Sequence, residues 1–240
     1  MRESLRGKQI VLAGGTGGLG SAAAELLLDE GTSLVLGYKS NEERAAGWRD
    51  RASVVKADLA EADSRARLLD AAPDLYGLVV FSGDPARVGD PSQFEAAARR
   101  SMEVNYLGPM LLAREAAERM RKSGTQGAIV LLSTMQAVAL FSGSTAYGAP
   151  KAALLHAGQI LAKEVRGKTN IRVNVICPGV NAAGMAEASL ASGKYDRYIT
   201  DGIIPRFGRA EDVARAVRFF LEPDNYVTGQ VLTVDGGLTL

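Results

Sequence analysis

The 240-residue chain is 47% hydrophobic and 23% charged, with a formal net charge of +1. That balance is ordinary for a globular protein and gives no electrostatic reason to expect nucleic acid or an acidic membrane surface as partner. One cysteine, Cys177, excludes an internal disulfide and fits a reducing, cytoplasmic setting.

The charged start runs straight into the first strand, with no apolar signal region and no stretch long enough to span a bilayer. Short runs rich in Val, Leu and Ile then predict strands at Gln9–Ala13, Ser33–Gly37, Val54–Lys56, Leu78–Ser82, Ala128–Ser133, Ile171–Ile176 and Gln230–Val234. Most lack polar alternation, the mark of strands covered on both faces. Helices are predicted between them at Gly20–Glu30, Glu42–Asp50, Asp63–Ala71, Gln93–Arg121, Tyr147–Arg166 and Glu211–Leu221. This alternation implies parallel strands joined by right-handed crossovers, and so a Rossmann-type, doubly wound α/β sheet of seven parallel strands. No repeat or linker divides the chain, which reads as a single domain over 1–240. The segment 181–207 has little strand character and reads as a lid over a site.

The first strand leads into Gly14-Gly15-Thr16-Gly17-Gly18-Leu19-Gly20. Glycines 14, 18 and 20 allow a tight turn and let backbone N–H groups approach a pyrophosphate at a helix start. The second strand ends in Gly37-Tyr38-Lys39-Ser40-Asn41, with no carboxylate where one would bind the adenosine ribose of NAD. Lys39 and Ser40 suit the 2′-phosphate of NADP, and NAD is the alternative cofactor. Further on, Tyr147 and Lys151 lie four residues apart at the start of a helical pattern, so both project from one face. An ammonium close to a phenol favours the phenolate and lowers a pKa that otherwise lies near ~10. Such a tyrosine can exchange a proton with an alcohol or ketone. The one histidine, His156, reads as a residue packed on the helix, and no metal-ligand cluster is visible.

With these features the chain resembles the short-chain dehydrogenase/reductase family, most of all its 3-oxoacyl-(acyl-carrier-protein) reductase type. The resemblance also rests on Ala57-Asp58-Leu59, Val104-Asn105-Tyr106-Leu107-Gly108, Cys177-Pro178-Gly179, Pro205-Arg206-Phe207-Gly208-Arg209, Tyr226-Val227-Thr228-Gly229-Gln230 and Val234-Asp235-Gly236-Gly237. It implies that Asp58 and Leu59 meet the adenine and that Pro178 and Gly179 lie under the nicotinamide. It further implies that Tyr147 is the general acid in reduction and the base in oxidation. Lys151 would lower the pKa of Tyr147 and hold the nicotinamide ribose, while Asn105 would anchor a water that links Lys151 to solvent. A homotetramer is the assembly it implies.

The chain departs from the family pattern in places. The family serine position, thirteen residues before Tyr147, is Thr134, which keeps a hydroxyl. Ser133 should point the other way along an extended strand. Val80-Phe81-Ser82-Gly83 replaces an Asn-Asn-Ala-Gly motif, so Ser82 and Gly83 border the cofactor and local packing should be apolar. Ala183 stands where a threonine often holds the nicotinamide carboxamide, with Asn181 as a substitute. Pro150 is read as falling in a first helical turn.

The expected activity is NADP-dependent reduction of a ketone, small or bound to a carrier as a 3-oxoacyl thioester, with Asn105, Thr134, Tyr147 and Lys151 as the catalytic set. Alternatives are an NAD-dependent alcohol or diol dehydrogenase and a non-catalytic NAD(P)-binding sensor. A carrier would call for a basic patch, for which Arg119, Arg121 and Lys122 are the cluster in the sequence.

Overall fold

A computed structural model of the chain describes residues 4–240, apart from the side chains of Met185, Glu187 and Ala188. The first three residues of the charged start, and those three side chains of the expected lid, lie outside the described residues.

The first half of the chain forms β1 (Gln9–Ala13), α1 (Gly18–Asp29), β2 (Ser33–Tyr38), α2 (Glu42–Ala46), β3 (Ser53–Lys56), α3 (Ala62–Asp70) and β4 (Leu75–Val80). The second half adds α4 (Phe94–Met102), α5 (Gly108–Ser123), β5 (Ala128–Leu132), α6 (Thr145–Val165) and β6 (Arg172–Pro178). It ends with α7 (Glu187–Ala191), α8 (Arg197–Thr200), α9 (Ala210–Leu221) and β7 (Val231–Val234). The seven strands pair in parallel in the order β3-β2-β1-β4-β5-β6-β7, the doubly wound sheet expected from the alternation. Strand order reverses between β1 and β4. Loops leaving the carboxyl ends of those two strands turn to opposite faces and open a crevice.

The strands are apolar throughout because helices cover both faces. Leu68 of α3, Leu112 and Ala116 of α5, and Leu154 and Leu161 of α6 pack on one side. Ala23 and Leu27 of α1 and Val213, Val217 and Phe220 of α9 pack on the other. Among the described residues no helix is long and apolar enough to cross a membrane.

Most predicted boundaries move by one or two residues, and four of the changes bear on the fold. The single helix expected over Gln93–Arg121 is instead α4, a π-helical turn over Glu103–Leu107, and α5. Pro109 lacks the N–H that an unbroken α-helix would send to the carbonyl of Asn105. The ladder widens there, and the Gly108 N–H reaches back five residues to Glu103 O. Helix α6 starts at Thr145 rather than Tyr147, which places Pro150 in the second turn and leaves Ala146 O without its α-helical donor. Helix α2 stops at Ala46, where Gly47 follows and Trp48 turns inward to pack against α1's face of the sheet. Strand β4 begins at Leu75 and ends at Val80, so Phe81, Ser82 and Gly83 belong to the loop beyond it.

At the amino ends of the strands a buried arginine ties three elements together. Arg172 of β6, 2% exposed, donates to Phe220 O at 2.9 Å and to the Tyr76 hydroxyl at 3.1 Å. Tyr76 of β4 in turn donates to Leu221 O at 2.7 Å. Both carbonyls are at the end of α9, where the helix dipole favours a cation. The Tyr76→Phe substitution strips the arginine of one acceptor and the helix end of one donor. It should destabilise the protein by about 1–3 kcal/mol, read as a lowered urea midpoint at unchanged slope. An unchanged midpoint would mean that the hydroxyl is dispensable.

Candidate active site

The crevice at the carboxyl ends of the strands is a cavity of about 1130 Å³. It runs from β3 and α2 at one end, past the glycine turn, to the start of α6 and the segment that carries α7 and α8.

The glycine turn is built from β1 outward. Gly14 N–H donates to Gly37 O at 2.9 Å and takes φ = +81°, which a side chain would strain. A Cβ on Gly20 would stand 2.5 Å from Gly14 O, so only glycine lets the turn close on α1. Helix α1 begins with no side-chain cap and no acidic residue in its first turn. Its first N–H groups, from Gly18, Leu19 and Gly20, therefore face the cavity rim without a helical acceptor, a cradle for phosphate. Thr16 and Gly17 complete the lining. The segment 181–207 passes close by: a Cβ on Gly18 would meet Gly184 N at 2.7 Å.

At the far end of the cavity, Asp58, Leu59, Lys39 and Ser40 all line the wall. Lys39, however, is not a free cation. Its ammonium sits 2.6 Å from Asp58 Oδ2. Burial works against the Asp58 carboxylate, but the Lys39 ammonium and the Ala60 N–H outweigh it and hold its pKa below the usual range. The free charge is Arg44, one turn into α2. Asn41 Oδ1 caps α2 by accepting from Arg44 N at 2.9 Å, while the Arg44 guanidinium has no partner among the described residues and lines the same wall. Sequence reading missed Arg44 because a charge on a short exposed helix looks like any solvated arginine.

At the other end the structure brings Thr134, Tyr147 and Lys151 together. Thr134 follows β5 and lines the same cavity as Tyr147, whose phenol pKa its hydroxyl lowers. Ser133 points away, with its hydroxyl donating to Lys151 O at 2.8 Å. Lys151, 2% exposed, donates from Nζ to Leu132 O at 2.9 Å and to Ser82 O at 3.3 Å. Burial drives its pKa down to about 8, with Cys177 pulling the other way. The phenol does not show the expected acidity: burial pushes Tyr147 up to about 12, offset in part by the Thr134 hydroxyl and reinforced by Tyr195. Geometry explains the difference, since the Lys151 ammonium is turned to strand-end carbonyls rather than to the phenol oxygen.

Other expected residues are placed as follows. Ser82, Gly83, Pro178 and Gly179 line the cavity floor. Asn105 is fully buried in the π turn. Its Nδ2 donates to Asp84 O at 2.8 Å and to Ser101 Oγ at 2.7 Å, and its Oδ1 accepts from Asp84 N at 3.0 Å. The carboxamide thus has no donor left for a water. It braces the loop after β4, where apolar packing was expected and where Arg100 also reaches Asp84 at 2.6 Å. Asn181 is turned under its loop: Nδ2 donates to Gly179 O at 2.9 Å, while Oδ1, buried and unpartnered, faces the backbone of Gly208. This orientation argues against Asn181 standing in for the threonine that Ala183 replaces. His156 is exposed on α6 and does not line the cavity. Arg119, Arg121 and Lys122 are ion-paired with Asp70 and Glu118 and also lie outside it. Phe141, Tyr195 and Tyr198, which the sequence reading did not single out, line the mouth.

These arrangements have close parallels in known proteins. A family model described as enoyl-(acyl carrier protein) reductase matches residues 13–239. The NADPH-dependent aldehyde reductase 2, chloroplastic, of Arabidopsis thaliana is 30% identical over 98% of this chain and 95% of its own. Carbonyl reductase family member 4 of Danio rerio is 33% identical, over 96% and 97%. A solved short-chain type dehydrogenase/reductase from Mycobacterium ulcerans superposes with a TM-score of 0.90 at 28% identity, covering 99% of this chain and 91% of that one. With the seven-stranded parallel sheet, the glycine turn on α1 and the Tyr147–Lys151 pair in one crevice, the chain belongs to the short-chain dehydrogenase/reductase family of oxidoreductases.

Proposed function

We propose that the protein is an NADP-dependent carbonyl reductase that converts a ketone to a secondary alcohol. The observation that carries this reading is that Thr134, Tyr147 and the buried ammonium of Lys151 line the same crevice as a glycine turn on an uncapped helix. Two relatives at 30% and 33% identity are named as an NADPH-dependent aldehyde reductase and a carbonyl reductase family member, which supports it.

The residues fit a dinucleotide. The uncapped N–H groups at the start of α1 receive the pyrophosphate, and Asp58 and Leu59 border the adenine. Arg44 and Ser40 meet the 2′-phosphate, with Lys39 contributing once shared with Asp58. Pro178, Gly179 and Gly83 flank the nicotinamide, and Lys151 reaches its ribose. Bound NADPH supplies the hydride. Tyr147, which stays protonated through the neutral range, donates its proton to the carbonyl oxygen. Thr134 donates to the same oxygen and holds it within reach of the phenol. Lys151, while charged, stabilises the negative charge that develops there. With the carboxamide of Asn105 occupied, its backbone carbonyl in the π turn is the group left to anchor a water on the way to Lys151.

A protonated phenol favours reduction, and loss of charge at Lys151 opposes it. Ketone reduction should therefore hold steady below neutrality and decline as pH rises through about 8, where Lys151 becomes neutral. Tyr147→Phe should lower kcat by about a hundredfold or more while leaving NADPH affinity nearly intact. Rates of NADPH consumption against pH test both; a rate that climbs across that range, or a fully active Tyr147→Phe enzyme, contradicts the assignment.

The phosphate wall gives a second test. Arg44→Ala should weaken NADPH binding by roughly tenfold to a hundredfold and leave NADH binding unchanged, the loss expected for one charge-assisted contact. Lys39→Ala should weaken it less, because Lys39 is already neutralised by Asp58. Equal losses for NADPH and NADH in Arg44→Ala would remove Arg44 from the phosphate site.

We also propose a homotetramer. Met102, Leu107, Leu111 and Ile160 expose apolar side chains on the π-turn, α4–α5 and α6 side, and β7 ends the sheet with Phe219 and Leu232 exposed nearby in sequence. Sedimentation should give four times the chain mass, and Leu111→Glu should shift it to smaller species. A monomeric parent would refute the assembly.

A further inference from the structure

The substrate end of the cavity has a charge pattern that the carbonyl chemistry alone does not require. Six basic side chains line the whole cavity: Lys39, Arg44, Arg87, Lys151, Lys194 and Arg197. Among the described residues the one lining carboxylate is Asp58, and it lies at the adenine end, paired with Lys39. The cofactor reading uses Lys39, Arg44 and Lys151. It leaves Arg87, in the loop after β4, and Lys194 and Arg197, which lie together in the segment 181–207.

These last two stand at the start of α8, exposed at the mouth. Each lies over a tyrosine ring, Lys194 at 5.4 Å from the Tyr195 centroid and Arg197 at 5.2 Å from that of Tyr198. The two rings stack on one another, with centroids 6.1 Å apart and planes 19° from parallel. Tyr195, Tyr198 and Tyr147 line the same cavity. The Tyr198 hydroxyl and, more weakly, Asp201 act on Arg197 from the same segment, and neither Asp196 nor Asp201 lines the cavity. The cavity wall thus combines a proton donor, aromatic rings and two cations. Phe141 and the rims of the Tyr195 and Tyr198 rings offer apolar surface to the body of a ligand, and the cations offer charge-assisted hydrogen bonds beyond it.

We propose that the physiological substrate is an anionic ketone: an apolar body carrying the carbonyl at one end and a carboxylate or phosphate at the other, the anion held by Lys194 and Arg197. This rests on the carbonyl-reductase reading and names the substrate class of the same site. The two anions share one chemistry here, and the test separates them.

The test uses the full chain with NADPH and three ketones on one aryl skeleton, with the acetyl group opposite a carboxylate, a phosphate monoester or an uncharged methyl ester. The better of the two anions should exceed the ester in kcat/KM by about tenfold, an advantage that shrinks as salt is added. Whichever anion leads identifies the source. In the double variant Lys194→Glu/Arg197→Glu the anion-to-ester ratio should fall below one, with an unchanged melting temperature showing that the fold is intact. Lys194→Gln/Arg197→Gln should bring the ratio near one if charge reversal proves too disruptive. A parent ratio near one, or a ratio that the variants do not move, overturns the proposal. Calorimetric binding of the same compounds to the NADP-loaded protein separates it from the parent reading. Tighter anion binding lost in the variant, with no turnover of any ketone, upholds the anion site and sinks the reductase. Turnover of all three without preference in rate or binding does the reverse.

Discussion

The site depends on one ammonium held out of water. Lys151 is tied to the carbonyls of Leu132 and Ser82, the ends of two neighbouring strand paths, and burial brings its pKa down to about 8. A charge in such a place is costly unless it is hydrogen-bonded, and the two carbonyls supply the bonds. They are available because β5 stops at Leu132 and β4 stops at Val80, leaving groups beyond the sheet without ladder partners for that purpose. Sheet termination, helix α6 and the poise of the lysine are therefore one arrangement. Ser133 reinforces it from behind by donating to the lysine's own carbonyl.

That arrangement also sets the character of Tyr147. A phenol in contact with a free ammonium would be acidic, but here the ammonium spends its hydrogen bonds on carbonyls and burial dominates the phenol. The pair is consequently asymmetric near neutrality, with a lysine close to its titration point and a tyrosine far below its own. An enzyme that had to remove a proton from an alcohol would need the opposite poise. The proposed reductase activity draws on this same poise of phenol and ammonium.

Much of this was legible in the sequence, for a physical reason. Strands covered on both faces are written as uninterrupted apolar runs, and a turn that closes on a helix start demands glycine at Gly14 and Gly20. Tyr147 and Lys151 share a face because helical geometry is local. What escaped depended on partners distant in the chain. Nothing near Lys39 says that Asp58, on the next strand's exit, will neutralise it, and so nothing promotes Arg44 above an ordinary surface arginine. The carboxamide of Asn105 is consumed by Asp84, twenty-one residues earlier. The segment 181–207 has no periodicity to betray that Tyr195 and Tyr198 will stack.

The π turn shows how a local rule and a distant need meet. Pro109 forbids the α-helical bond to Asn105 O, and the ladder widens to accommodate it. The wider turn carries Asn105 inward, where its carboxamide pins the backbone of Asp84 in the loop that follows β4. That same loop contains Ser82, whose carbonyl holds Lys151. A proline in one helix thus bears on the lysine of another through a single buried asparagine and two turns of loop. In this chain the Asn-Asn pair after the fourth strand is replaced by Phe81 and Ser82, and Phe81 N–H ties the start of the loop to Ala13 O at 2.8 Å. The loop's position also rests on Asn105, on the Arg100–Asp84 ion pair and on the lysine itself. The buried ammonium and the loop whose carbonyl it meets hold each other in place.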